Sequence, residues 1–218
     1  MQSGSDLAVI VGAGSGLSAS LARKCAAAGM RVVLAARNVE KLKDQPHEAH
    51  ICDATDATQV ERLFNALGAP ALVVYNPSYR VRGPFLGLDR EEVKKTLMVT
   101  AYGGFLVAQA AARPMLERGR GSLFFTGASA SVKGYAESAP FAMGKFALRG
   151  LAQSLARELG PKNIHVAHFV IDGGIRRGGG EHGMLEPDAI AETYLSVHRQ
   201  DRSAWSFEVD LRPWAEKF

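Results

Sequence analysis

Short apolar runs alternate with amphipathic stretches along almost the whole chain. Residues 7–11 read LAVIV, an unbroken run rich in β-branched side chains that stops at Gly12. Without polar alternation, such a run predicts a strand buried on both faces, as in a parallel sheet. Leu17, Leu21 and Cys25 then repeat at helical spacing and predict a helix over 17–28, with Gly29 as its stop. Further strands are predicted at 31–36, 49–52 and 71–75, separated by helical patterns at 39–43 and 58–67. A long helix over 90–116, a strand at 122–126, a helix over 139–159 and a strand at 164–171 follow. After a glycine-rich loop, a short helix near 187–200 leads to AWSFEVD at 204–210. There Trp205, Phe207 and Val209 alternate onto one face, as in a seventh, edge-type strand. Strand and helix alternating this regularly predict βαβ units. The expected fold is α/β and Rossmann-type doubly wound, with about seven mostly parallel strands and helices on both faces. No linker or internal repeat interrupts the pattern, so residues 1–218 are expected to form a single domain.

Composition narrows the setting. The 218 residues, 47% hydrophobic and 22% charged, suit one domain with a full core. No run approaches the ~18 continuous apolar residues of a membrane span. The start, MQSGSD, lacks the basic and apolar regions of a secretory leader, and residues 1–5 read equally as a tag remnant. Cys25 and Cys52 fall in a helix and a strand and are expected as reduced thiols in a cytoplasmic setting. The formal net charge of +4 is dispersed apart from short pairs such as Arg176-Arg177, so no nucleic-acid partner is expected. A basic surface suits a phosphorylated small molecule equally well.

Gly12, Gly14 and Gly16, with Ser15 between them, stand where the first strand turns into the first helix. Glycines here permit a tight turn and let backbone N–H groups approach a pyrophosphate at the positive helix end. A strict G-x-G-x-x-G fails at Leu17, while G-x-x-x-G fits; a plain tight turn would use the same residues. Placement after the first strand of an α/β series favours the nucleotide reading. Arg37 follows the second strand, where an acidic residue would meet a ribose diol and an arginine a 2′-phosphate. A guanidinium fork matches a phosphate well, so NADP is expected over NAD. No metal site is expected. His165 and His168 are three apart in a strand and point to opposite faces, while His50 and Cys52 share a face without a third ligand.

Taken in order, these marks resemble the short-chain dehydrogenase/reductase family over nearly the whole chain. VGAGSGLS at 11–18 is similar to its Thr-Gly-x-x-x-Gly-x-Gly loop, and Cys52-Asp53 to the Asp ending strand three beside the adenine. YNPS at 75–78 stands where the family has Asn-Asn-Ala-Gly, VTAYGGF at 99–105 resembles Val-Asn-x-x-Gly-x-Phe, and Lys145 resembles the lysine of Tyr-x-x-x-Lys. The resemblance implies cofactor contacts from Gly12, Gly14, Ser15, Gly16, Leu17, Arg37, Asp53, Asn76, Lys145 and Gly173. In the family a tyrosine moves the proton, the lysine lowers its pKa and holds the nicotinamide ribose, a serine binds the substrate oxygen, and an asparagine orders a water relay. Here the asparagine position holds Thr100, the serine position Ala128 and the tyrosine position Phe141; only Lys145 is kept. Val11, Ser18 and the Asp172-Gly173 pair are milder departures. FTGASAS at 125–131, IDGGI at 171–175 and LRPW at 211–214 look similar to a divergent branch lacking the tyrosine, whose members are described no further than as oxidoreductases.

Replacements for the tyrosine can be named. Tyr135 is nearest in sequence, in the loop before the helix at 139–159, and either reaches the pocket or packs the loop. Tyr75, Tyr79 and Tyr102 lie near the pocket by family analogy, and Ser129 or Ser131 could hydrogen-bond a carbonyl. GGIRRGGGEHG at 173–183 occupies the place of the family's mobile substrate lid, where Arg176, Arg177 and His182 would meet an anionic substrate or remain solvated. The chain is shorter than members of the family commonly are, between the second and third strands, before the fourth strand, and in that lid. The leading expectation is an NADP(H)-dependent oxidoreductase for a small carbonyl or alcohol, with Lys145, Ser129 and Tyr135 as catalytic candidates. The alternative is an NADP(H)-binding sensor or assembly protein without turnover. A homodimer or homotetramer is expected, through the helices at 90–116 and 139–159 and the edge at 205–210.

Overall fold

Seven parallel strands in the order β3-β2-β1-β4-β5-β6-β7 form the centre of the molecule. The computed structural model describes residues 5–216; most of the expected tag remnant, residues 1–4, lies outside the described residues. The strands are β1 (Leu7–Val11), β2 (Arg31–Ala36), β3 (Glu48–Ile51), β4 (Leu72–Tyr75), β5 (Gly121–Thr126), β6 (Ile164–Ile171) and β7 (Glu208–Leu211). Every pairing between neighbours is parallel. The inner strands are apolar on both faces because helices cover both sides. Helices α1 (Leu17–Ala27) and α6 (Pro187–His198) cover one face, burying Leu21, Cys25, Ile190 and Tyr194 against Ile10, Leu34 and Phe169. Helices α2 (Ala57–Leu67), α4 (Gly103–Arg118) and α5 (Ala139–Leu159) cover the other, burying Phe64, Met115 and Leu148 against Val9, Tyr75 and Phe125. The doubly wound, Rossmann-type α/β fold is the one expected.

Three local expectations need correction. The helical pattern at 39–43 is only a 3₁₀ turn, Glu40–Leu42, which suffices because the link from β2 to β3 is so short. The expected helix at 90–116 is α3 (Arg90–Leu97), a π-helical turn Met98–Tyr102, and α4, which runs on to Arg118. Gly119, left-handed at φ 75°, ends it. The seventh strand starts at Glu208 rather than at 204. A 3₁₀ turn, Arg202–Ala204, precedes it, and Trp205 stacks flat on His165 with ring centroids 4.6 Å apart. Phe207 packs into the α5 side while Val209 packs into the α6 side, so these two do not share a face.

The Phe207–Glu208 segment closes a half-buried polar cluster. Arg149 of α5 donates twice to Glu208, at 2.7 Å each, and Glu208 also meets Nδ1 of His168 at 3.0 Å. Burial holds the His168 imidazole at a pKa of about 4 and therefore neutral. His165 and His168 do face opposite layers, and no group of three metal-ligating side chains occurs among the described residues.

Candidate cofactor and substrate cleft

Ligands in doubly wound sheets bind outside the carboxyl ends of the strands, where the strand order reverses. In this sheet that point is between β1 and β4, and two adjoining clefts open there, sharing Asn76 and Ser78. The first, of about 550 Å³, is lined by Gly12, Arg37, Lys41, Asp53 and Val99, among others. The second, of about 630 Å³, is lined by Leu17, Arg80, Ser129, Tyr135, Phe141 and Lys145, among others.

The turn after β1 is held in a shape that only glycine tolerates. Gly12 has φ 78°, and a Cβ there would come within 2.7 Å of Pro77. Its amide and that of Ala13 both donate to the Ala35 carbonyl, at 2.9 and 3.1 Å. Ser18 donates to the Gly12 carbonyl at 3.2 Å and accepts from the Asn76 amide at 2.8 Å. That serine locks the turn from beneath instead of offering its hydroxyl to a phosphate. Gly14 and Gly16 are open in front, since nothing lies within 4 Å of a Cβ built on either. No side chain caps the N-terminus of α1 at Gly16, leaving its first amides for a ligand. Gly16 and Leu17 line the second cleft; Gly14 and Ser15 complete the turn between the clefts.

Asp53 is pinned by the Thr55 amide and hydroxyl, which donate to its Oδ1 at 2.9 and 2.8 Å. Arg37 is exposed on the rim of the same cleft, and Lys41 lies beside it, a second cation that the sequence reading left out. At the far side, Gly173 has φ 156° and a Cβ there would meet Pro213 at 2.7 Å. Asp172, standing where the family has proline, is buried and paired with Arg212 at 2.9 Å, with Lys133 at 3.8 Å.

Lys145 is 3% exposed, and its Nζ donates to the Thr126 carbonyl at 2.7 Å. No carboxylate among the described residues is paired with it, and burial pulls its pKa down from 10.5 to about 7. Phe141 lies one turn earlier, its ring centroid 5.8 Å from that Nζ, so the two share a helix face as a donor and its lysine would. Ala128 and Ser129 line the cleft at the end of β5, and the Ser129 hydroxyl has no hydrogen-bond partner among the described residues. Tyr135 also lines it, with the Lys133 ammonium 5.6 Å from its ring centroid; contact with the Tyr135 hydroxyl raises the Lys133 pKa.

Other candidates lie elsewhere. Ser131 is fully buried and accepts from the Ala128 amide at 3.1 Å, which removes it from the cleft. Thr100, also buried, accepts from the Tyr79 amide at 3.3 Å and backs onto Gly144. Tyr75 is a core residue whose hydroxyl donates to the Val99 carbonyl, and burial raises its pKa. Tyr79 donates to Glu92 and accepts from Lys95, and Tyr102 stacks on Phe105 at the surface. Arg176, Arg177 and His182 are exposed and line neither cleft. Their segment is tied down: the Gly178 amide donates to Glu186 at 2.6 Å, and the Trp214 indole donates to the Gly180 carbonyl at 3.2 Å. The cations that do reach the second cleft, Arg80 and Arg82, escaped the sequence reading.

Residues 6–175 match the family model described as short chain dehydrogenase. The chain is 31% identical to carbonyl reductase [NADPH] 2 of Sus scrofa over 165 residues, covering 73% of this chain and 68% of that protein. Among solved structures, a short-chain dehydrogenase from Rhodopseudomonas palustris is 33% identical with a TM-score of 0.83, covering 96% of this chain and 99% of that one. A metagenomic short-chain oxidoreductase in complex with NADP is 28% identical with a TM-score of 0.84, covering 95% of this chain and 97% of that one.

Proposed function

The chain belongs to the short-chain dehydrogenase family, and on that premise we propose that it is an NADP(H)-dependent oxidoreductase for a small carbonyl or alcohol, working through a non-standard site. The observation that carries the reading is the joined pair of clefts: the glycine turn and Arg37 open one, and buried Lys145 stands in the other. A nicotinamide cofactor supplies or accepts the hydride when bound. The open backbone at Gly14 and Gly16, the uncapped start of α1 and the cations Arg37 and Lys41 fit its phosphates, and Asp53 fits its adenosine end. The NADP bound to the metagenomic relative and the NADPH in the pig enzyme's name support the choice of NADP(H) over NAD(H).

At the reaction end, Lys145 positions the nicotinamide ribose and presents an amine donor beside the reacting oxygen. Ser129 donates a hydrogen bond to the substrate oxygen, and Tyr135, with the Lys133 ammonium beside it, is the phenol that moves the proton. Phe141 cannot take that part, so the chain falls in a branch of the family lacking the tyrosine. A second reading has its own support. With Thr100 turned to the Tyr79 amide, Ala128 without a hydroxyl and Phe141 without a proton, the fold would also serve as an NADP(H)-binding sensor or assembly protein.

We further place residues 1–218 in one domain and in a homodimer or homotetramer, which would cover the exposed Phe105, Leu116 and Phe146 of α4 and α5. Two free, buried cysteines support a cytoplasmic setting. Calorimetric titration with NADPH and NADH, then a carbonyl panel followed by NADPH absorbance, tests the reading. NADPH should bind more tightly, and Arg37→Ala should narrow the gap by about tenfold. Equal affinities would remove the Arg37 assignment. Binding without turnover on the whole panel would favour the second reading, and turnover surviving Lys145→Ala would remove Lys145 from the site.

A further inference from the structure

The reaction end carries positive charge that the cofactor reading does not use. Arg80 and Arg82 lie on the loop between β4 and α3 and line the cleft beside Lys145, and no aspartate or glutamate is among its lining residues. Neither guanidinium has a hydrogen bond or ion pair among the described residues. The Arg80 guanidinium lies over the Phe141 ring, its Cζ 5.2 Å from the centroid of the same ring that faces Lys145. Stacking on an aromatic face suits arginine and limits the freedom it would lose on binding.

The loop holding these residues is tied at both ends. Tyr79 is fixed by Thr100 through its amide and by Glu92 through its hydroxyl, and the Gly83 amide donates to the Glu137 carbonyl at 3.0 Å. Glu137 itself does not line the cleft. Two exposed, uncompensated cations on a tied loop, Arg80 held over the Phe141 ring and Arg82 beside it, line a cleft without acids and suit an anion. A guanidinium fork grips a carboxylate or a phosphate in two-point fashion.

We propose that the substrate is itself an anion: a carbonyl compound, or its alcohol, whose carboxylate or phosphate is bound by Arg80 with attraction from Arg82. Arg80 and Lys145 lie 5.2 and 5.8 Å from the centre of one ring, so the anionic group and the reacting carbon belong to one small molecule, as in a short oxo acid or a phosphorylated ketone. This rests on the oxidoreductase reading above and specifies the substrate class of that site.

Two matched pairs test it by NADPH oxidation: acetoacetate against its methyl ester, and dihydroxyacetone phosphate against dihydroxyacetone. In at least one pair the anion should be preferred, and the preferred pair identifies the group. Arg80→Ala should lower kcat/KM for that anion by ~10–100-fold, mainly through KM, and for its neutral partner by less than about threefold; Arg80→Lys should restore part of the loss. Equal use of anion and neutral partner in both pairs, or equal losses on both, would overturn the proposal. Titration of NADPH into Arg80→Ala should leave its affinity unchanged; a loss there would place Arg80 on the cofactor instead and overturn it too. If the protein turns over neither pair, calorimetric titration of acetoacetate and dihydroxyacetone phosphate decides. Binding weakened by Arg80→Ala sustains the anion site, even where NADPH fails to bind and the oxidoreductase reading falls, and no binding of either anion overturns it.

Discussion

The proposed nucleotide end of the cleft, at the termini of β1 to β4, and its reaction end, at those of β4 to β6, meet at Asn76 and Ser78 but differ in what has been kept. At the nucleotide end, Gly12 at φ 78°, the Ala35 carbonyl, Ser18, Asn76 and Pro77 interlock, so the turn is over-determined by several partners. At the reaction end only Lys145 keeps the family's residue type, and its partners are a backbone carbonyl and a phenyl ring. Holding a dinucleotide needs backbone shape and a few cations, which a turn and a helix start supply. Moving a proton needs a titratable group at one place, and one altered side chain removes it. On the proposed reading, the first end accommodates changes such as Val11 and Ser18, whereas the second needs a substitute for the phenol missing at Phe141.

The largest expected effect breaks the stronger end. Gly12→Ala puts a Cβ within 2.7 Å of Pro77 at a φ that L residues rarely adopt, so the turn must shift. NADPH affinity measured by calorimetry should fall by about a hundredfold, in keeping with strain of roughly 3 kcal/mol at such a position. Retained affinity would show that the turn is not what holds the nucleotide.

Next, Phe141→Tyr restores a phenol one helical turn from Lys145. With Tyr135 already holding the proton, carbonyl reduction should rise by less than about threefold, whereas Tyr135→Phe in the unaltered chain should lower it by ~10²-fold, the worth of a positioned acid. A rise of about tenfold or more in Phe141→Tyr would show that Tyr135 does not hold the part.

A third test, on stability instead of binding or rate, sharpens what Lys145 costs the apo fold. Unfolded, its amine keeps a proton up to about 10.5; folded, burial makes it give that proton up near 7. Between those values the unfolded chain binds more protons, so this group makes stability rise with pH across that window, by at most ~1.4 kcal/mol per pH unit. Below about 7 the slope from this group vanishes and its destabilisation is full. Melting temperatures taken from pH 7 to 10 should climb less steeply in Lys145→Met than in the unaltered protein; parallel curves would show that the amine stays charged.

How much of this was legible follows from what each feature depends on. The strands were readable because burial on both faces writes an unbroken apolar run, as at LAVIV, and the glycine turn because its spacing is local. The π turn at Met98–Tyr102 was not, because an apolar helix pattern survives one widened turn. The alternation of Trp205, Phe207 and Val209 misled because the chain enters β7 from a 3₁₀ turn, and Trp205 spends its ring on His165. Ser129 and Ser131 look equivalent in sequence; only the turn that buries Ser131 under the Ala128 amide separates them. Arg80 escaped because its partner, Phe141, is on a distant helix, and no local pattern marks a guanidinium that will stack on it.

The bond from the Trp214 indole to the Gly180 carbonyl gives the molecule an optical gauge of its own. Of the two tryptophans, Trp205 is clamped against His165, while Trp214 is 81% exposed and attached to the glycine-rich segment. A rearrangement that separates Gly180 from Trp214 breaks the indole contact, so emission from Trp214 would follow that movement while Trp205 serves as an internal standard. Motion there could be timed without attaching a dye.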